Sequence, residues 1–167
     1  NVVELSMTTV FSKLLMLKTM YIGAVSFAPL VLLFTLIYTE REKWITSRRL
    51  MLLFIVPIVN LILVWTNDYH PYFYSSFDLV ERGDFIMMVT GKGFGYWLHQ
   101  SYTLLLLFVS LYLLLLRIRE VPPADYKQVF MVILGLCFPF LVYILYLTIK
   151  GPILIDFITF SFLGTGV

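Results

Sequence analysis

Residues 96–116 read YWLHQSYTLLLLFVSLYLLLL, and this stretch decides the fold. It holds no Lys, Arg, Asp or Glu over its 21 residues. A helix needs about 20 mostly apolar residues to cross the ~30 Å hydrocarbon core of a bilayer. The polar marks sit at its ends, with Trp97, His99 and Tyr102 at entry and Arg117 and Arg119 just past the exit. Aromatic residues and Arg collect where a span meets headgroups. The stretch is a membrane span.

The same pattern recurs on both sides. Upstream lie Met16–Tyr38, with Lys18 near its start and Pro29 inside, and Leu50–Thr66, with Pro57 and Asn60 inside. Downstream lie Lys127–Thr148, with Pro139 near its middle, and an apolar segment from Ile153 to Val167. That predicts an all-α polytopic transmembrane bundle with five visible spans. Composition agrees: the 167 residues are 60% hydrophobic and only 13% charged, against about 25% charged for an ordinary soluble domain. A net charge of +2 gives no footprint for a nucleic-acid partner. The one cysteine, Cys137, has no partner for an internal disulfide and is read as a small packing residue. The chain begins without Met or any signal-like pattern and stops inside an apolar segment, so we expect it to continue at both ends.

Topology follows from the connectors, since cytoplasmic ones are enriched in Lys and Arg. The connector 39–49 carries Arg41, Lys43, Arg48 and Arg49, and the connector 117–127 carries Arg117, Arg119 and Lys127. The segment 67–95 carries only Arg82 and Lys92 against four carboxylates. The first two are expected in the cytoplasm and 67–95 outside it. Within that loop, Tyr72–Val80 and Asp84–Thr90 are aromatic and β-branched and flank Glu81-Arg82-Gly83, which predicts a hairpin. Gly91, Gly93 and Gly95 then read as a flexible hinge before Trp97.

Catalytic motifs are absent from the sequence: there is no phosphate loop, no carboxylate pair within a span and no metal-binding histidine motif. No cofactor or metal is expected. The candidates for binding a ligand are Trp97, His99, Tyr102, Asp156, Asn67 and His70. Ionisable groups at membrane depth are costly and tend to face the bundle interior. Trp97, His99 and Tyr102 form either an interfacial belt or one wall of a ligand pocket. Asp156, four residues after Pro152, either caps the last helix or pairs with His99 or Lys150. Asn60 is expected to hydrogen-bond between helices.

The order of these residues resembles a known family. Tyr21-Ile22-Gly23 with Pro29, Trp44 with Arg48-Arg49, Pro57, then Thr66-Asn67 and His70 are followed by Trp97-x-His99-x-x-Tyr102, by Pro139 with Tyr146, and by Asp156 with Phe162. This is similar to the seven-transmembrane N-terminal sensor domain of bacterial and archaeal histidine kinases. Tyr143 and Thr159 depart from it, standing where the family often has Asn and Pro.

The resemblance implies that the five spans are the third to seventh of seven, with Glu4-Leu5-Ser6 ending the second. It implies a single sensory input domain over 1–167, an extracytoplasmic or membrane-borne signal, and a small-molecule or lipid-like ligand. It implies a plasma-membrane protein in contact with the lipid bilayer, relaying to a cytoplasmic PAS, kinase or diguanylate cyclase module in cis, and homodimers. Any enzyme activity would then belong to that module. The alternatives are a fragment of a transporter or channel, or a membrane-embedded enzyme using His99 and Asp156 as an acid–base pair.

Overall fold

A computed structural model describes residues 10–82 and 85–148, with side chains described for 14–77 and 89–138. Glu4-Leu5-Ser6, Lys150, the fifth span and Asp156 lie outside the described residues. The chain divides into two compact units, Val2–Ser110 and Leu111–Val167.

The first unit contains helix α1 (Val10–Tyr38), helix α2 (Ser47–Trp65), strands β1 (Tyr74–Arg82) and β2 (Phe85–Lys92), and the first part of helix α3 (Phe94–Glu120). Long uncharged runs form helices here because hydrocarbon leaves no alternative partner for the backbone. Among the described residues three segments are long and apolar enough to span a membrane: Leu14–Tyr38, Ser47–Trp65 and Phe94–Glu120. On α2, Met51, Leu52, Ile55, Ile58, Val59 and Ile62 are exposed while Pro57, Asn60 and Val64 are buried. A soluble protein rarely exposes so continuous an apolar face. Lipid covers it.

The turn from α1 to α2 is built by local backbone bonds. The Arg41 N–H reaches the Leu36 carbonyl at 2.8 Å and the Glu40 N–H reaches Ile37 at 3.0 Å. That is the two-bond helix stop usually closed by glycine; here Glu40 adopts the left-handed conformation with φ 56°. Thr46 then caps α2, its hydroxyl accepting from the Arg49 N–H.

The loop between α2 and α3 forms the antiparallel hairpin expected from its alternation. Strand β1 starts and ends two residues later than expected, and β2 starts one residue later and ends two residues later. Two residues of β1, Ser75 and Ser76, face the single Gly91 of β2, a β-bulge between the pairs Tyr74–Lys92 and Phe77–Thr90. A side chain at Gly91 would crowd the Ser75 and Ser76 hydroxyls and lie 3.1 Å from the Ser76 backbone nitrogen, so the bulge is tight there and the two serine side chains would have to turn away.

In the second unit, α3 ends at Glu120, just before Pro122-Pro123, as prolines dictate. Helix α4 (Tyr126–Thr148) covers the stretch expected as the fourth span and starts one residue earlier. Leu114, Val129 and Ile133 are buried there, and Arg117 lies 3.9 Å from Glu120 one turn on.

Candidate functional site

The hairpin end of the first unit is organised by one amide. Asn67, buried just past the end of α2, accepts from the N–H groups of Phe73 and Tyr74, both at 3.0 Å, and donates to the Tyr74 carbonyl at 3.1 Å. The Phe73 carbonyl in turn accepts from Gly93 N–H at 2.9 Å, and the Tyr72 carbonyl from Gly95 N–H at 2.8 Å. Residues 72–74 are thereby bonded both to the end of α2 and to the start of α3. The same approach leaves no room for side chains: a Cβ on Gly93 would lie 2.5 Å from the Tyr72 carbonyl oxygen, and one on Gly95 would lie 2.9 Å from the Phe73 ring. The glycines expected to form a loose hinge are close-contact positions instead.

Above the membrane-facing helices this base carries an aromatic cluster. Phe73, fully buried, packs edge-on against Tyr21 of α1 at 5.0 Å and Tyr74 at 5.0 Å, and lies 6.2 Å from Tyr96 of α3. Val64 of α2 completes the core, with Leu17 and Leu63 packed against it. Lys18 of α1 seals the edge, its ammonium 2.6 Å from Asp68 and 3.2 Å from the Trp65 carbonyl.

Beneath the cluster lies a polar layer. His99 is only 6% exposed, and its ring sits 5.9 Å from that of Tyr21. Among the described residues its Nδ1 has no hydrogen-bond partner, nor has the Thr103 hydroxyl one turn further along α3. On α2, Asn60 is fully buried, and neither its carbonyl oxygen nor its amide nitrogen is bonded among the described residues. The expected interhelical bond of Asn60 is not formed among the described residues. An unsatisfied buried polar group costs about 1–3 kcal/mol, so this layer is a standing demand for hydrogen bonds.

Tyr102 behaves differently. Its hydroxyl donates to the Leu53 carbonyl at 2.5 Å. Leu53 stands four residues before Pro57, whose ring nitrogen cannot supply the helical N–H that this carbonyl would otherwise accept. Tyr102 therefore bridges α3 to the break in α2.

The remaining expected residues spread out. Trp97 is 52% exposed near the start of α3, where the Lys92 ammonium lies 5.9 Å from its ring and 4.9 Å from that of Tyr96. His70 bonds the Thr66 hydroxyl at 2.9 Å and stacks on Tyr72 at 4.8 Å, away from the buried layer. The structure brings His99 into the polar layer and places Tyr102 beside it on α3, and gives Asn67 a backbone-holding role. Sequence reasoning did not single out Phe73 or Tyr74; the dense Tyr72-Phe73-Tyr74 run beside Asn67 was the available signal.

Long apolar helices with aromatic residues near their ends mark a multi-pass membrane protein. The whole chain, residues 1–167, matches the family described as the N-terminal 7TM region of histidine kinase, and it belongs to that family. Membership implies a bilayer around it and a kinase module in cis. No curated protein and no solved structure matches the chain.

Proposed function

We propose that this chain is the sensory input of a histidine kinase, detecting an extracytoplasmic or membrane-borne signal and relaying it to the cytoplasmic module. In this reading its spans are the last five of seven, the loop 67–95 faces outward, and the connectors 39–49 and 117–127 face the cytoplasm. Family membership supports the sensory role, and the basic connectors support the orientation.

The observation that carries the reading is the buried polar layer next to the Tyr102–Leu53 bridge. A signal acts only by binding two helix arrangements with different affinity. A ligand engaging His99 beside the break at Pro57 favours one arrangement of α2 against α3, because the backbone there is already held by one side chain rather than by its own ladder. Trp97 lies at the rim and Asn67 holds the roof.

The test is autophosphorylation of the full-length kinase in proteoliposomes. Tyr102→Phe is expected to change the basal rate several-fold while leaving expression and insertion intact. Unchanged activity in Tyr102→Phe and in His99→Phe, with normal kinase function, would sink the relay.

A further inference from the structure

The buried layer has a geometry of its own. Gly95 of α3 meets Leu63 of α2, its Cβ position 3.1 Å from the Leu63 methyl. From that level Asn60 lies three residues further into the bundle along α2, and His99 four residues along α3. At about 1.5 Å per residue the two stand at the same depth to within about 2 Å. Both are on inward faces: Asn60 is one turn below Val64 of the aromatic cluster, and His99 touches Tyr21 of the same cluster. Thr103 continues the His99 face one turn deeper.

We infer that Asn60, His99 and Thr103 form an occluded binding site for an uncharged amphiphile with a hydroxyl or carbonyl head on an apolar body. The inference rests on the sensory reading above and names the ligand class. Asn60 supplies two N–H donors and one carbonyl acceptor, Thr103 one hydroxyl, and His99 one ring nitrogen, and all are without partners among the described residues. A group that both donates and accepts, or a carbonyl flanked by donors, satisfies them. A charged head does not fit, because no described Lys, Arg, Asp or Glu is placed in the layer to pair with it; Lys18 and Asp68, at the edge of the aromatic cluster above, already pair with each other. The walls are apolar and aromatic, from Tyr21 and Val64, which suits a hydrocarbon body.

The test uses the full-length kinase in phosphatidylcholine nanodiscs, with 2-decanone and 1-decanol as probes and n-decane and decanoate as controls. The readout is the thermal unfolding midpoint of the membrane domain. The uncharged polar probes are expected to raise the midpoint in a saturable way, and the controls to leave it unchanged. Asn60→Leu is expected to raise the probe-free midpoint, because it removes unpaired polar atoms from an apolar site, and to abolish the probe shift. His99→Phe is expected to reduce the shift at least tenfold in apparent affinity. A wild type that decane shifts equally, or that no probe shifts, overturns the inference. So does a lowered midpoint in Asn60→Leu with the probe shift retained, which would mark Asn60 as a structural tie. A saturable shift with no change in autophosphorylation upholds the site and counts against the sensory reading alone.

Discussion

The Tyr102 hydroxyl is bonded to the Leu53 carbonyl, the acceptor that Pro57 leaves without its ladder donor. One side chain on α3 thus completes the backbone of α2. In hydrocarbon, where no water can take its place, such a bond joins two helices at a defined level.

Tyr102→Phe removes that donor and is expected to destabilise the domain by about 1–2 kcal/mol. Pro57→Ala restores a backbone N–H to the Leu53 carbonyl, so in that background Tyr102→Phe should cost far less. Unfolding midpoints in detergent for the four variants of this cycle measure the coupling, expected on the order of 1 kcal/mol. Equal costs in both backgrounds would separate Tyr102 from the proline break.

Asn67→Ala strands the N–H groups of Phe73 and Tyr74, at an expected cost of about 2–4 kcal/mol. Hydrogen exchange at those two amides should accelerate, while the middle of α2 stays protected. Asn67→Asp keeps both acceptor bonds but turns an oxygen toward the Tyr74 carbonyl, and is expected to fall between wild type and Ala. Unaltered exchange in Asn67→Ala would refute its role as the organiser of the loop base.

Gly93→Ala and Gly95→Ala place a methyl against the Tyr72 backbone and the Phe73 ring, and each is expected to cost about 1–3 kcal/mol through overpacking. Gly23→Ala has the opposite sign. A Cβ at Gly23 meets nothing within 4 Å, so the gain in helix propensity, up to about 1 kcal/mol, should appear directly as a higher unfolding midpoint.

Orientation is testable by labelling in a Cys137→Ser background. Tyr69→Cys, in the loop after α2, is expected to react with a membrane-impermeant maleimide on intact cells. Lys43→Cys, in the connector 39–49, should react only after permeabilisation. The reverse pattern would invert the proposed sidedness.

The spans were legible because missing charge is a signal that a sequence displays directly, and the hairpin because strand alternation is local. The strand starts shifted because Asn67 claims Phe73 and Tyr74 for the loop base, a contact between residues apart in sequence. The glycines looked like a hinge since a sequence shows an absent side chain without showing what approaches it. Pro57 announces an unpaired carbonyl at Leu53 by simple counting, yet nothing local says that Tyr102 answers it. For His99, depth was readable. For Asn60, burial without a partner was not, because an interhelical bond is the default for a polar residue in a span.

Residues 72–74 close a ring of hydrogen bonds between the end of α2 and the start of α3, so the ribbon beyond Phe77 and Thr90 hangs from a base already complete without it. The spacing of the two helices is set below the ribbon and not by its length. That makes the far part of the hairpin an insertion point: an epitope tag or an added pair of residues there should leave the helices in register, whereas a single residue inserted between Asn67 and Phe73 should not.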